Sequence, residues 1–126
     1  DIIEQATPLL VPLLENGGER WVDDVLSHYL GPLKIKGIEC LLLGCTHYAL
    51  LKDKIKAQLG EAVSLLSQDE IVPRKLAAYL KRHPEYSDKI TRGGAAAFYV
   101  SDLTPHYLEA AEKIYGTSIN IQQAEI

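Results

Sequence analysis

The chain has 126 residues, 47% of them hydrophobic and 24% charged, which is typical of one globular domain. Its formal net charge is −4 and it has no Lys/Arg-rich block, so the composition does not predict a nucleic-acid partner. No apolar run reaches the roughly 20 residues that a membrane-spanning helix needs, so no membrane partner is predicted either.

The first part of the chain alternates helical and strand patterns. The opening segment "ATPLLVPLLENG" is compatible with either. Residues 19–30 place apolar side chains on one helical face, and Gly31-Pro32 is expected to end that helix. "GIECLLLG" is almost continuously apolar between two glycines, which predicts a central strand covered on both faces. A second helix is predicted from Leu51 to Gly60, followed by a short strand at "AVSLL".

The second part continues the same alternation. Residues 67–69 offer caps for a third helix, which Pro84 should end. The polar stretch "HPEYSDKITRGGAAA" is the predicted linker. "AAFYV" then predicts a strand, Thr104-Pro105 predicts the start of a helix that ends at Gly116, and "SINIQQ" predicts an edge strand. We therefore expect an α/β fold with a mostly parallel sheet flanked by helices, divided into residues 1–93 and 94–126.

The stretch "LLLGCTHYALL" places four residues between a strand end and a helix start: Gly44, Cys45, Thr46 and His47. Ligands of open α/β sheets gather at the carboxyl ends of the strands, and a helix N-terminus favours anions. A free thiol has a pKa of about 8.5, which such surroundings can lower to about 7. Because His47 is close enough to exchange a proton with the thiol, Cys45 and His47 are the predicted catalytic pair. Gly44 would allow the backbone to turn tightly beside a ligand.

Other interpretations of these residues stay open at this point. A Cys-x-His pair is also compatible with simple packing, and Cys40, inside the strand, is assigned to packing. Cys45 and His47 have no further Cys or His partners nearby, so no metal site is predicted. Glu15 is either a turn residue or a carboxylate that reaches the sheet's carboxyl edge. Two cysteines at this spacing do not suggest a disulfide framework, so a reducing cytoplasm is expected.

Several segments resemble glutamate racemases, enzymes that interconvert L- and D-glutamate. "LLLGCTHYALL" resembles the second catalytic motif of that family, and the segments "ATPLLVPLLENG", "SQDEIVPRKLAAYLKRHPE" and "AFYVSDLTPHYLEAAEKIYG" resemble family stretches around it. In the related aspartate racemases an acidic residue usually stands where His47 stands, which favours glutamate. Ala49 and Gln68 depart from the family, which commonly has a proline and a serine there.

The resemblance implies a two-cysteine proton transfer without pyridoxal phosphate or any other cofactor, which supplies D-glutamate for peptidoglycan. Cys45 matches the second cysteine and His47 the histidine that assists it. Thr46 and His47 match residues of the substrate site, while Glu15 and Gly44 are supporting candidates.

The first half of the family, which carries the first cysteine, has no counterpart here. The chain also opens on Asp1 and contains no methionine, so we expect the C-terminal half of a racemase, with one catalytic thiol and the missing N-terminal half as its partner. Residues 94–126 are expected to return to that absent domain. A homodimer is left open. The alternatives are an aspartate or hydantoin racemase relative, or an inactive folded fragment that binds another protein.

Overall fold

The computed structural model describes residues 1–94 and 96–125. Ala95, in the predicted linker, and Ile126, at the end of the predicted last segment, lie outside the described residues. The chain divides into two compact units, Asp1–Pro84 and Glu85–Ile126. Each unit has a two-stranded parallel sheet. The fold is α/β with parallel strands, as the alternating sequence pattern predicts.

The first unit alternates helices with two short strands. In chain order its elements are α1 (Leu10–Glu15), a 3₁₀ turn (Glu19–Trp21), α2 (Val22–Ile35), β1 (Cys40–Leu42), a second 3₁₀ turn (Thr46–Leu51), α3 (Lys52–Leu59), β2 (Ser64–Leu66) and α4 (Gln68–Arg82). β1 runs parallel to β2 with Leu41 opposite Leu65. The carboxyl ends of both strands therefore lie at the same edge.

The core of this unit is built around α2. Val22 and Leu26, one helical turn apart, are its most deeply buried side chains, at 0% and 1% exposure. α1, the second 3₁₀ turn and α3 contribute further buried side chains. The buried hydrophobic set is Leu10, Val22, Leu26, Tyr29, Leu30, Leu33, Leu43, Leu51 and Ile55. All of its members precede β2, so the core supports the strand–turn region of "LLLGCTHYALL".

α2 continues through Gly31-Pro32 to Ile35, so the prediction that this pair ends the helix was wrong. A proline inside a helix removes one backbone hydrogen bond and costs about 3 kcal/mol. Here Leu30 and Leu33 on either side are both buried, and their packing outweighs that loss. The chain turns away from the end of α2 at Gly37. This glycine has a φ of +66° and donates its amide hydrogen to the Lys34 carbonyl at 2.9 Å.

β1 lies where the sequence predicts it, but it is not covered on both faces. Leu41 is half-buried, whereas Leu42 is 65% exposed and Leu66, on β2, is 42% exposed. Cys40 is exposed as well, so its assignment to packing was wrong. Alternate strand residues point to opposite faces, and the face of β1 and β2 that carries Cys40, Leu42 and Leu66 is open to solvent.

The second unit contains β3 (Phe98–Val100), α6 (Pro105–Tyr115) and β4 (Ile121–Gln123), and α5 (Pro84–Ser87) joins the two units in sequence. β3 and β4 are parallel, with Tyr99 opposite Gln122. The Thr104 hydroxyl accepts the Tyr107 amide hydrogen as a helix cap, as predicted. No residue of this unit is fully buried among residues 85–94, 96–104 and 107–125.

None of the helices in the described part of the chain has the length and apolar character needed to span a bilayer.

Candidate active site

The turn after β1 places Cys45 at the carboxyl edge of the sheet. The Leu43 amide donates to the Leu66 carbonyl at 2.9 Å, so pairing with β2 continues one residue past β1. Cys45 then has an extended backbone, and its carbonyl accepts the Tyr48 amide hydrogen at 3.1 Å. The helix predicted after this turn starts as a 3₁₀ turn and becomes α-helical only at Lys52. The macrodipole of α3 therefore begins well past Cys45, and the side chains around the thiol carry its chemistry.

Three of the predicted side chains form a continuous chain of polar contacts. The Cys45 Sγ lies 3.7 Å from the His47 Nδ1. On the other side of the imidazole, the His47 Nε2 lies 3.0 Å from the Glu15 Oε1. Cys45 is half-buried, and the His47 side chain is 33% exposed. The structure thus brings together a thiol, an imidazole and a carboxylate, with the thiol end of the chain accessible to a small molecule.

The contact with Glu15 determines which ring nitrogen of His47 carries a hydrogen. A carboxylate only accepts hydrogen bonds, so the Nε2 must carry the hydrogen and donate it. In the neutral ring the Nδ1 is then an acceptor, and it faces the Cys45 thiol. When the thiol proton moves to this nitrogen, an imidazolium lies between a thiolate and a carboxylate.

α1 and its neighbours hold Glu15 in reach of the site. Glu15 is the last residue of α1, which is anchored by the buried Leu10. After the helix, the Gly18 amide donates to the Leu13 carbonyl at 2.8 Å, and a Cβ at Gly18 would lie 2.4 Å from the Leu13 side chain. A side chain at Gly18 would therefore displace the Leu13 side chain and crowd the Leu13 backbone at this return of the chain.

A second link joins the segment before α1 to the 3₁₀ turn that carries His47. The Tyr48 hydroxyl and the Thr7 hydroxyl share a short hydrogen bond. Tyr48 directly follows His47, so this bond fixes the turn against the chain just ahead of α1. The Tyr48–Thr7 bond positions the turn that carries His47, and α1 positions Glu15, so both partners of the His47–Glu15 contact are held in place.

Thr46 and Gly44 lie beside Cys45 but outside this chain of contacts. Both are exposed at the carboxyl edge. Gly44 does not have a positive φ, and a Cβ there would meet nothing within 4 Å. The tight-turn reason given for Gly44 was therefore wrong. Their predicted roles beside a substrate stay predictions.

A cluster that sequence reasoning missed lies at the neighbouring strand end. The Lys52 Nζ donates to the Asp69 Oδ2 at 2.7 Å and also to the Glu70 Oε1, and the buried Ser67 hydroxyl donates to Asp69. We call these four residues the Lys52 cluster. Residues 67–69 were interpreted as helix caps, but the Ser67 hydroxyl makes no bond to the helix backbone. Only the side-by-side alignment of β1 and β2 brings Lys52 to the acidic start of α4.

The hydrogen bonds of the Lys52 cluster shift the ionisation of its members. The bond to Asp69 is the main cause that raises the pKa of Lys52, with the bond to Glu70 next. The bond from Lys52 is the main cause that lowers the pKa of Asp69, assisted by Ser67. The same lysine lowers the pKa of Glu70. All three groups are therefore held in their charged forms.

Among the described residues, no group of three or more His, Cys, Asp or Glu side chains could hold a metal ion.

Comparison with known proteins relates this site to one class of enzyme. No protein-family model matches the chain. The glutamate racemase of Geobacter metallireducens is 34% identical over 121 residues, which cover 92% of this chain and 43% of that protein. The crystal structure of a glutamate racemase isoform from Bacillus anthracis matches with a TM-score of 0.80 at 28% identity, covering 97% of this chain and 46% of that one. A glutamate racemase from Francisella tularensis, solved in complex with D-glutamate, matches with a TM-score of 0.75 at 26% identity, covering 94% and 44%. The chain thus spans rather less than half the length of the relatives it matches.

Proposed function

Because this chain corresponds to the C-terminal half of glutamate racemases, we propose that it forms one half of such an enzyme, which interconverts L- and D-glutamate without a cofactor. The observation that carries the proposal is the chain of contacts from the Cys45 thiol through His47 to Glu15 at the carboxyl edge of β1. The relatives named above are glutamate racemases, which supports glutamate rather than aspartate or a hydantoin as the substrate.

The proposed step at Cys45 is a proton transfer. The Cys45 thiolate takes the α-proton from one face of glutamate, so that an S–H bond forms as the Cα–H bond breaks. The electron pair left on the α-carbon is delocalised into the α-carboxylate. A second thiol on the opposite face then gives its proton to the α-carbon and becomes a thiolate. Running the two steps in reverse converts the other enantiomer.

His47 and Glu15 prepare Cys45 for this step. His47 stores the proton that the thiol releases before the substrate binds, and its positive charge stabilises the thiolate. Glu15 orients the ring and stabilises the imidazolium. Thr46 and Gly44 are proposed to lie beside the substrate, because both are exposed next to Cys45. Cys45 and His47 are the proposed catalytic residues, and Glu15 is a positioning residue because it acts through His47.

The second thiol is proposed to come from a partner. Cys40 is exposed on β1, at the opposite end of the strand from the turn that carries Cys45, so it cannot face Cys45 across one substrate. The remaining part of the racemase would supply the second thiol, and residues 94–126 are proposed to return to that part. The absence of fully buried side chains among the described residues of the second unit supports this. A homodimer is a further arrangement that the proposal allows.

The proposed product is D-glutamate for peptidoglycan, made in a bacterial cytoplasm. A reducing compartment suits the mechanism, because a disulfide or an oxidised thiol could neither accept nor donate the proton.

Racemisation by the reassembled halves tests the proposal. This chain is mixed with the part of the Geobacter metallireducens racemase that lies outside the matched segment, and the optical rotation of L-glutamate is followed. We expect racemisation with the unchanged chain and with Cys40→Ala, a matched thiol control, but not with Cys45→Ala. Racemisation that survives Cys45→Ala, or none with any chain, would contradict the proposal.

A further inference from the structure

α4 carries an apolar stripe whose side chains are about half exposed. Val72, Leu76 and Tyr79 follow at helical spacing, so their side chains share one face. They are 55%, 55% and 42% exposed, and α4 has no buried residue. The ring of His83 stacks on that of Tyr79 with centroids 4.1 Å apart, which extends the same face. We call Val72, Leu76 and Tyr79 the α4 stripe.

A helix of this kind is stable in a folded protein chiefly through the burial of its apolar face. A contiguous exposed stripe on an otherwise charged helix is therefore typical of an interface. The opposite face of α4 carries Arg74 and Lys81, so the polarity of the helix is strongly one-sided.

The stripe is nevertheless held in a defined position beside the candidate site. The Lys52 cluster ties the first turn of α4 to the start of α3, directly after the 3₁₀ turn that carries His47. The buried Ser67, at the end of β2, fixes Asp69 from the other side. α4 thus starts at the same sheet edge as Cys45.

We infer that the α4 stripe is the docking surface for the remaining part of the racemase polypeptide, the part that supplies the second thiol. This inference rests on the proposed function. The matched relatives are more than twice as long as the matched segment, so the racemase fold contains a further body of similar size. A second thiol has to approach Cys45 from outside the β1–β2 sheet edge, and the α4 stripe is an apolar surface on the helix that starts at that edge. The interface then includes α4 and begins in sequence at Ser67. It therefore starts earlier in the chain than residues 94–126, the segment that is expected to return to the absent domain.

Binding measurements with two matched variants test the inference. The probe is the part of the Geobacter metallireducens racemase outside the matched segment, titrated against this chain in sedimentation-velocity runs. Leu76→Asp places a charge in the stripe, and Ala77→Asp places the same charge on the adjacent exposed position outside it. Circular dichroism should show both variants folded, because neither side chain is buried. We expect a one-to-one complex that Leu76→Asp weakens at least tenfold and Ala77→Asp leaves unchanged.

The other outcomes overturn the inference in distinguishable ways. If this chain forms a dimer by itself and Leu76→Asp makes it monomeric, a second copy covers the stripe. If no complex forms, or if both variants bind as tightly as the unchanged chain, the stripe is not the docking surface. Racemase activity of the mixture is read separately. A complex that depends on Leu76 but does not racemise glutamate would leave the interface standing and contradict the proposed function.

Discussion

At the scale of single residues, the two cysteines differ both in their partners and in their exposure. Cys45 contacts the imidazole of His47, whereas Cys40 lies on an open strand face. The sequence predicts the first contact, because two residues separated by one position at a strand exit must be neighbours. It could not settle the contact of His47 with Glu15, which lies 32 positions earlier and depends on α1 being a helix. The pattern of "ATPLLVPLLENG" left that choice open.

Replacing His47 by asparagine is expected to slow the proton transfer at Cys45 strongly. Asparagine can hydrogen-bond but cannot take the thiol proton at neutral pH, and a positioned general base contributes about 10²–10⁴-fold. The measurement is the rate of racemisation by the reassembled halves, with the affinity of the two halves as a control for folding. A loss of less than about twofold in this rate would show that His47 does not handle the proton.

Replacing Glu15 by glutamine should have a smaller effect. Glutamine can still accept the hydrogen bond from the His47 Nε2, but it removes the negative charge that favours the imidazolium. Because the Glu15 side chain is 56% exposed, water screens that charge, and a loss of about tenfold is expected. The pH dependence of the rate distinguishes this role from a purely structural one. An unchanged pH profile together with a lower Tm would indicate that Glu15 only supports the fold.

At the scale of elements, sequence patterns located the helices and strands, and tertiary packing decided where they end. α2 runs past Gly31-Pro32 because the buried Leu30 and Leu33 hold that part of the helix in the core. A single sequence shows the local penalty of a proline but not the packing that compensates for it. For the same reason the Lys52 cluster was not foreseen, since it joins α3 and α4 across the ends of two strands.

The core around α2 makes a clear prediction for stability. Leu26 is 1% exposed, so Leu26→Ala should lower the free energy of unfolding by about 2–5 kcal/mol. Urea unfolding followed by tryptophan fluorescence measures this. Leu42→Ala is the matched control, because Leu42 is 65% exposed and its truncation should change stability by about 0.5 kcal/mol or less. Equal losses in the two variants would place the core elsewhere.

The Lys52 cluster predicts a specific pH dependence of stability. The pKa values of Asp69 and Glu70 are lowered by Lys52, so the cluster stabilises the fold above their ordinary values, and this contribution disappears as the pH falls through the lowered values. The pKa of Lys52 is raised, so its contribution is fully present below about 10.5 and is lost as the pH rises through the raised value.

Urea unfolding of Lys52→Met and of the unchanged chain across this pH range checks the prediction. The stability difference between them should be modest near pH 7, because the acidic side chains are largely exposed, and should vanish at the acid end. Lys75→Met, on the exposed surface of α4, controls for the loss of a positive charge. A difference that persists in acid would show that Lys52 acts by packing instead.

At the scale of the whole molecule, the alternation of helix and strand was enough to predict an α/β fold with parallel strands. The burial of that fold was not predicted correctly. "GIECLLLG" has the composition of a strand covered on both faces. In this chain, however, Leu42 of this segment and Leu66 of the neighbouring strand β2 lie on a face that is open to solvent. The mismatch has a physical meaning, because a sequence is fitted to all the surfaces it packs against. The open sheet face, the α4 stripe and the second unit, which has no fully buried side chain among its described residues, present the surfaces that the proposed remaining part of the racemase would cover.

Isotope exchange measures whether Cys45 moves the α-proton of glutamate, as we propose. This chain, alone and mixed with the remaining part of the Geobacter metallireducens racemase, is incubated with L- and with D-glutamate in deuterated water, and α-deuterium is measured by mass spectrometry. We expect deuterium to enter the α-position with the unchanged chain and with Cys40→Ala, and we expect Cys45→Ala to abolish this. Incorporation that is equal in Cys45→Ala, or absent from every mixture, would show that Cys45 does not move the α-proton.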